Sequence, residues 1–260
     1  MTIPFVTRNP TAGEIERFRL ILSTYQDGSG MLKRKDRTLP GWRDFERSIA
    51  AAFDGEAQES KWIYDVILAN PEDDSIRFGL SCKMRGTLRE VERKNRVTIE
   101  LSNASGEFWD AVKKETFTQE NYHESPEIVG KVLIETVERW HINVSLDSGD
   151  TVDGTRSSFV VLQWEERKGR YQLFQYPIDL PDPASLLWKV EGRRLIGNDA
   201  KGTLFEWYGL SGGQLKYYPL ADNATWSSPV FQLEVLPDNR DYGPVRKAEL
   251  YFPELWRTLK

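Results

Sequence analysis

The chain has 260 residues, 39% hydrophobic and 29% charged, with a formal net charge of -5, the composition of a globular protein rather than a disordered one. Its longest apolar runs are strand-sized, which excludes a spanning helix, and the start MTIPFVTRNPTAGEIERF is read as carrying no secretory signal. One cysteine, Cys82, excludes an internal disulfide and a multi-thiolate zinc site, so the expected setting is cytoplasmic, with no membrane partner.

In chain order, Thr11 and Glu14 have capping-box spacing, and Ile15, Phe18, Leu22 and Tyr25 recur at helical intervals. DGSG at 27–30 stops that helix, and MLKRKDR forms a basic loop. Pro40 and Gly41 open a second helix, WRDFERSIAAAF, with Trp42, Phe45, Ile49 and Phe53 on its apolar stripe. Strands are predicted at about Trp62 to Ala69 and Ile76 to Met84, joined by the turn NPEDDS. The charged segment TLREVERKN leads to a third strand, RVTIELSN. Helices are predicted from Glu107 to Lys114 and from Pro126 to about Val144. The polar stretch DSGDTVDGTRSS then separates an α/β half, residues 1–150, from a β-rich extension, 151–260, packed on it as one unit. That extension holds a hairpin turning at Lys168-Gly169, a second at LIGNDAKGTLFEWYG, and a strand at VFQLEVLP. Nine tryptophans suit either a Trp-rich β core or a stacking surface for sugars or bases.

Three polar residues stand out against this pattern. Glu46 falls beside the apolar stripe of the second helix, where a carboxylate needs a partner. Asp65 interrupts the apolar run WIYDVILA, although aspartate is a poor strand former and costly to bury. In IRFGLSCKMRG the even positions 76 to 84 are apolar, while Gly79, Ser81, Lys83 and Arg85 share the opposite face. Acid, acid and lysine converging where a helix crosses a hairpin suit a divalent cation bound by carboxylates beside a phosphate. An ordinary salt-bridged sheet is the alternative.

Glu46 on a helix, Asp65 in one strand and Ser81-Cys82-Lys83 in the next resemble the PD-(D/E)xK nuclease motif, with type II restriction endonucleases the nearest relatives. The resemblance covers roughly Trp42 to Trp109 and lies in pattern and order. Tyr64 replaces the motif's proline, and Ser81 replaces its second acidic residue. Some restriction endonucleases of this group also carry serine there and draw the carboxylate from elsewhere in the fold. Here the candidates are Glu100, which is preferred, and Glu90 or Glu92. The resemblance implies an α/β fold with a mixed central sheet flanked by helices, and a Mg²⁺-dependent double-stranded DNA endonuclease acting as a homodimer. Asp65, Glu46 and Glu100 would hold the metal, with Lys83 and Ser81 completing the catalytic set.

GLSGGQLKYYP, residues 209–219, offers Gln214 and Lys216 for base edges or phosphates, or forms a plain loop. Lys33, Arg34 and Lys35, with Arg85, are further candidate DNA contacts. REVERKNR is a charge run whose default is a solvated face, with phosphate contact as the other reading. His123 and His141 are expected to be structural. The rival function is a non-catalytic Trp- and Tyr-rich β module that binds carbohydrate or a protein.

Overall fold

A computed structural model describes residues 2–35, 37–58, 63–102, 105–145, 151–237 and 242–258. The chain is mixed α/β. It begins with α1 (Ala12–Ser23), the two-residue strands β1 (Leu32–Lys33) and β2 (Thr38–Leu39), and α2 (Trp42–Ala52). Next come β3 (Glu56–Ala57), β4 (Val66–Ala69), β5 (Arg77–Arg85), α3 (Leu88–Lys94), β6 (Ile99–Ser102), α4 (Ser105–Lys114) and α5 (Pro126–Ile142). The remainder is β7 (Ser158–Glu165), β8 (Arg170–Pro177), β9 (Leu187–Glu191), β10 (Arg194–Asp199), β11 (Gly202–Trp207), β12 (Leu215–Tyr217), β13 (Trp226–Ser227), β14 (Phe231–Gln232), α6 (Pro244–Tyr251) and α7 (Pro253–Thr258).

The central sheet runs β13-β8-β7-β5-β4-β3, with β14 also on β8. It is mixed: β5 pairs antiparallel with β4 and parallel with β7, Lys83 standing opposite Val161. A second, antiparallel sheet runs β6-β12-β11-β10-β9. Residues from both sides of position 150 share the two sheets. β7 and β8 complete the first sheet, and β6 leaves the N-terminal half to pair with β12.

Two apolar cores sandwich the central sheet. On one face Phe78, Leu80 and Cys82 of β5 meet Phe18 and Leu22 of α1 and Phe45 and Ile49 of α2. On the other, one continuous core joins Phe159 and Val161 of β7, helices α4 and α5, and Phe205, Trp207 and Leu215 of the second sheet. Helix α5 bridges the two sheets. Gly130 near its start lies against Trp188 of β9, where a side-chain carbon would run into the indole. Its end places His141 within ring-packing distance of Phe159 and Tyr64. Trp188 and Trp207 are buried and Trp164 and Trp226 pack against the first core, so these tryptophans build cores rather than a stacking surface.

Local chemistry accounts for the helix starts. Thr11 and Glu14 form the expected capping box, and Arg8 fastens the same glutamate. At α2 the Asp44 carboxylate accepts from the Gly41 and Met31 amides, 2.8 Å each, which satisfies amides left open at the helix start. Several expectations need correction. Trp42 is not on the buried stripe; it is exposed at the first turn, with the Arg43 guanidinium over its ring. TLREVERKN contains a helix, α3, which ends on Asn95 in the left-handed region at φ 53°. VFQLEVLP contributes only β14, and two C-terminal helices follow it. Among the described residues no helix is long and apolar enough to cross a membrane.

Candidate active site where β4 leaves the central sheet

The strand predicted from Trp62 is shorter than expected. β4 starts at Val66, Trp62 lies outside the described residues, and Asp65 sits just before the strand. The cause is local: Tyr64 and Val66 point into opposite cores, which breaks the alternation, although the Asp65 amide still donates to the Leu80 carbonyl. The Tyr64 ring lies flat over Gly79, where any side-chain carbon would collide with it. With the chain turning away, the next amide of β5, Cys82, lacks a strand partner. Asp65 supplies one: its Oδ2 accepts from the Cys82 amide at 2.7 Å. The carboxylate thus stands in for a missing ladder carbonyl.

The same Oδ2 accepts from Lys83 Nζ at 3.1 Å, and Nζ also donates to the Cys82 carbonyl at 3.2 Å. Side-chain size along this face of β5 grows from Gly79 through Ser81 to Lys83 and Arg85. The first two positions are buried and the last two half-buried, so the face emerges from the core at Lys83. This explains why polar residues can occupy a strand with so apolar a back.

Glu46 approaches from α2. It is half-buried, and no hydrogen bond or ion pair holds it among the described residues. Burial, and then the negative charge of Asp65, push its carboxyl up to about 7, with Lys83, Arg43 and Arg47 pulling the other way. Glu46, Asp65 and Lys83 are therefore within electrostatic reach of one another. Cys82 is fully buried behind them; burial and Asp65 drive its thiol well above the ordinary value, so it is no nucleophile. His141 is buried too; burial and the Lys83 charge hold its imidazole down to about 4, in keeping with a neutral, structural histidine.

The remaining candidates lie elsewhere. Ser81 is buried opposite Phe159 of β7 and faces the second core, not the opening. Glu100 lies on β6 in the second sheet, with its carboxylate against the Arg85 guanidinium. Glu92 is bound by both terminal nitrogens of Arg170, and Glu90 lines a separate cleft beside α3. Arg34 pairs with Glu166, while Lys33 and Lys35 are exposed. Lys216 packs its ammonium 4.5 Å from the Tyr208 ring centre, and Gln214 sits in the adjoining loop, half-buried. Among the described residues no three of His, Cys, Asp and Glu are grouped closely enough to hold a metal by themselves.

Sequence reasoning missed one polar centre. Glu206 of β11 is buried, and accepts from Arg194 at 2.5 Å and from the hydroxyls of Tyr208 and Tyr218 at 2.6 and 2.8 Å. Its signal was the one that exposed Asp65, a lone carboxylate inside an apolar strand. No protein-family model matches this chain, and no curated protein and no solved structure matches it either.

Proposed function

We propose that the chain is a Mg²⁺-dependent endonuclease that hydrolyses phosphodiester bonds in double-stranded DNA, in the manner of a type II restriction enzyme. One observation carries the reading. A half-buried, unpaired glutamate on α2 lies within electrostatic reach of an aspartate–lysine pair at the point where a strand peels off a mixed sheet. A carboxyl raised by burial and by a neighbouring carboxylate marks a site that a hard divalent cation relieves, and such ions select oxygen ligands. The donor set fits Mg²⁺: Asp65 and Glu46 would hold it, and water and phosphate oxygens would complete its shell. Bound there, the ion would supply Lewis acidity toward the phosphate and a more acidic water.

The chain's own residues account for the rest. Lys83, fixed by Asp65 and the Cys82 carbonyl, presents an ammonium to a non-bridging phosphate oxygen as charge develops there. Asp65, fixed by the Cys82 amide, orients that lysine as well as the cation. Ser81 contributes space rather than a ligand, since a buried hydroxyl there lets the β5 face pack on the second core. Glu100 neutralises Arg85, two residues beyond Lys83 on the same face. A homodimer in the cytoplasm, one active site per strand of a short palindrome, completes the proposal.

The test is incubation with phage DNA and Mg²⁺, read on a gel. Discrete bands, lost with a chelator and absent for Lys83→Ala, support the reading; intact DNA over a range of Mg²⁺ and pH refutes it.

A further inference from the structure

Between α3 and the second sheet lies a cleft of about 620 Å³, a volume within the range of small-ligand sites. Such sites are mainly apolar, and this one is not. Lys94, Arg96, Arg194 and Lys201 line it against two carboxylates, Glu90 and Glu206, with threonine side chains and Tyr218 between them. In a chain of net charge -5, a lining with an excess of cations runs against the average.

The four cations are not equivalent. Arg96 is anchored to Asp199 and to the Tyr218 carbonyl, 2.7 Å each, and Arg194 to Glu206. These two are held in place by the fold. Lys94 and Lys201 are exposed, and neither ammonium has an ion-pair partner among the described residues. Fixed guanidinium groups with free ammonium groups at the rim are a fitting arrangement for phosphate.

The cleft also adjoins the candidate active site. Thr87, which lines it, follows Lys83 by four residues, so at a strand rise of about 3.3 Å the two lie within about 13 Å. That is about four nucleotides along one strand of a duplex at about 3.4 Å each. Arg85, between the two along the chain, is half-buried, and burial lowers its proton affinity.

We propose that this cleft is a nucleotide-phosphate site, occupied by a nucleotide of the strand being cut or by a free nucleotide. The choice of ligand rests on the nuclease reading; the site itself rests on the lining. The decisive variant is Lys94→Gln with Lys201→Gln, since neither side chain supports the fold. Two probes are used: dAMP by calorimetry, and a random-sequence duplex with Ca²⁺ in place of Mg²⁺, by anisotropy across about 50 to 200 mM salt. Occupation by the strand lowers the slope of log affinity against log salt by about two in the double variant, at about 0.9 per phosphate contact. Occupation by a free nucleotide instead leaves the duplex slope alone and weakens dAMP at least ~10-fold, the scale of one charge-assisted hydrogen bond. Unchanged duplex slope together with unchanged or absent dAMP binding overturns the proposal, whatever the cleavage assay shows. Conversely, if the double variant loses dAMP binding but wild-type protein never cuts DNA, the cleft stands and the nuclease reading falls.

Discussion

Replacing Glu46 with glutamine tests the candidate site without DNA. Burial and Asp65 raise the Glu46 carboxyl from 4.5 to about 7, so the folded protein prefers it protonated. A group raised in this direction contributes its full stability below pH 4.5, and the contribution is lost as pH rises through about 7. At about 1.4 kcal/mol per pH unit the gap has a ceiling of about 3 kcal/mol. Glu46 is only half-buried, and solvent screening brings the figure to about 1–2 kcal/mol. In EDTA at pH 8, Glu46→Gln is therefore expected to melt above wild type by about 4 °C, a chain of this size moving about 2–4 °C per kcal/mol. At pH 5 the two should nearly coincide. Adding Mg²⁺ should then raise the wild-type Tm more at pH 8 than at pH 6, because cation and proton compete, and raise the variant's Tm less. Parallel melting curves for both proteins from pH 5 to 8 in EDTA would show that Glu46 does not face Asp65, and the site would come apart.

Lys83→Ala should still shift DNA in Ca²⁺ yet cut at least ~10²-fold more slowly, the scale of one preorganised charge; full-speed cleavage removes the assignment. Asp65→Asn keeps an acceptor for the Cys82 amide and should melt near wild type while abolishing cleavage. Asp65→Ala leaves that amide unpaired and Lys83 without its carboxylate and should lose about 2–3 kcal/mol, so equal denaturation midpoints for the two variants would contradict the capping role. Glu100→Gln should lower stability by exposing Arg85 to an unbalanced burial, with the Mg²⁺ dependence of cutting unchanged; a raised Mg²⁺ midpoint would return Glu100 to the metal shell. Gly130→Ala should cost about 3 kcal/mol in urea denaturation, since the added methyl meets the Trp188 ring; a neutral result would place α5 differently against β9.

What was legible in the sequence was local. The alternation of β5, the capping box at α1, the hairpin β7–β8 and the pairing of Asp65 with Lys83 across one hairpin all follow from short-range pattern. Asp65 was found for the right reason, the cost of a carboxylate in an apolar run, but its setting was not foreseen. It stands outside the strand and completes a ladder because the Tyr64 ring needs the space above Gly79. Such a choice between two cores is made by packing, which no window of residues reveals. The setting of Glu100 was hidden on the same account. Its strand reads as a neighbour of β5, yet α3 turns the chain first and β6 joins β12, more than a hundred residues later. Trp42 shows the limit of periodicity at a helix's first turn, where the apolar face has not yet reached its neighbour.

The interleaving of the two sheets governs how the chain acquires its shape during synthesis. When residue 150 has been made, β5 has one open edge and β6 has no partner, since β7 and β12 are still to come. The hairpin that bears Asp65 and Lys83 is local and can form early, but its parallel neighbour closes a loop of some seventy residues. Pairings of such separation fold slowly and leave apolar edges open meanwhile. A polypeptide cut off near residue 150 is thus expected to aggregate rather than persist as a small active fragment. The candidate site would then be enclosed only once the strands that follow it have been added.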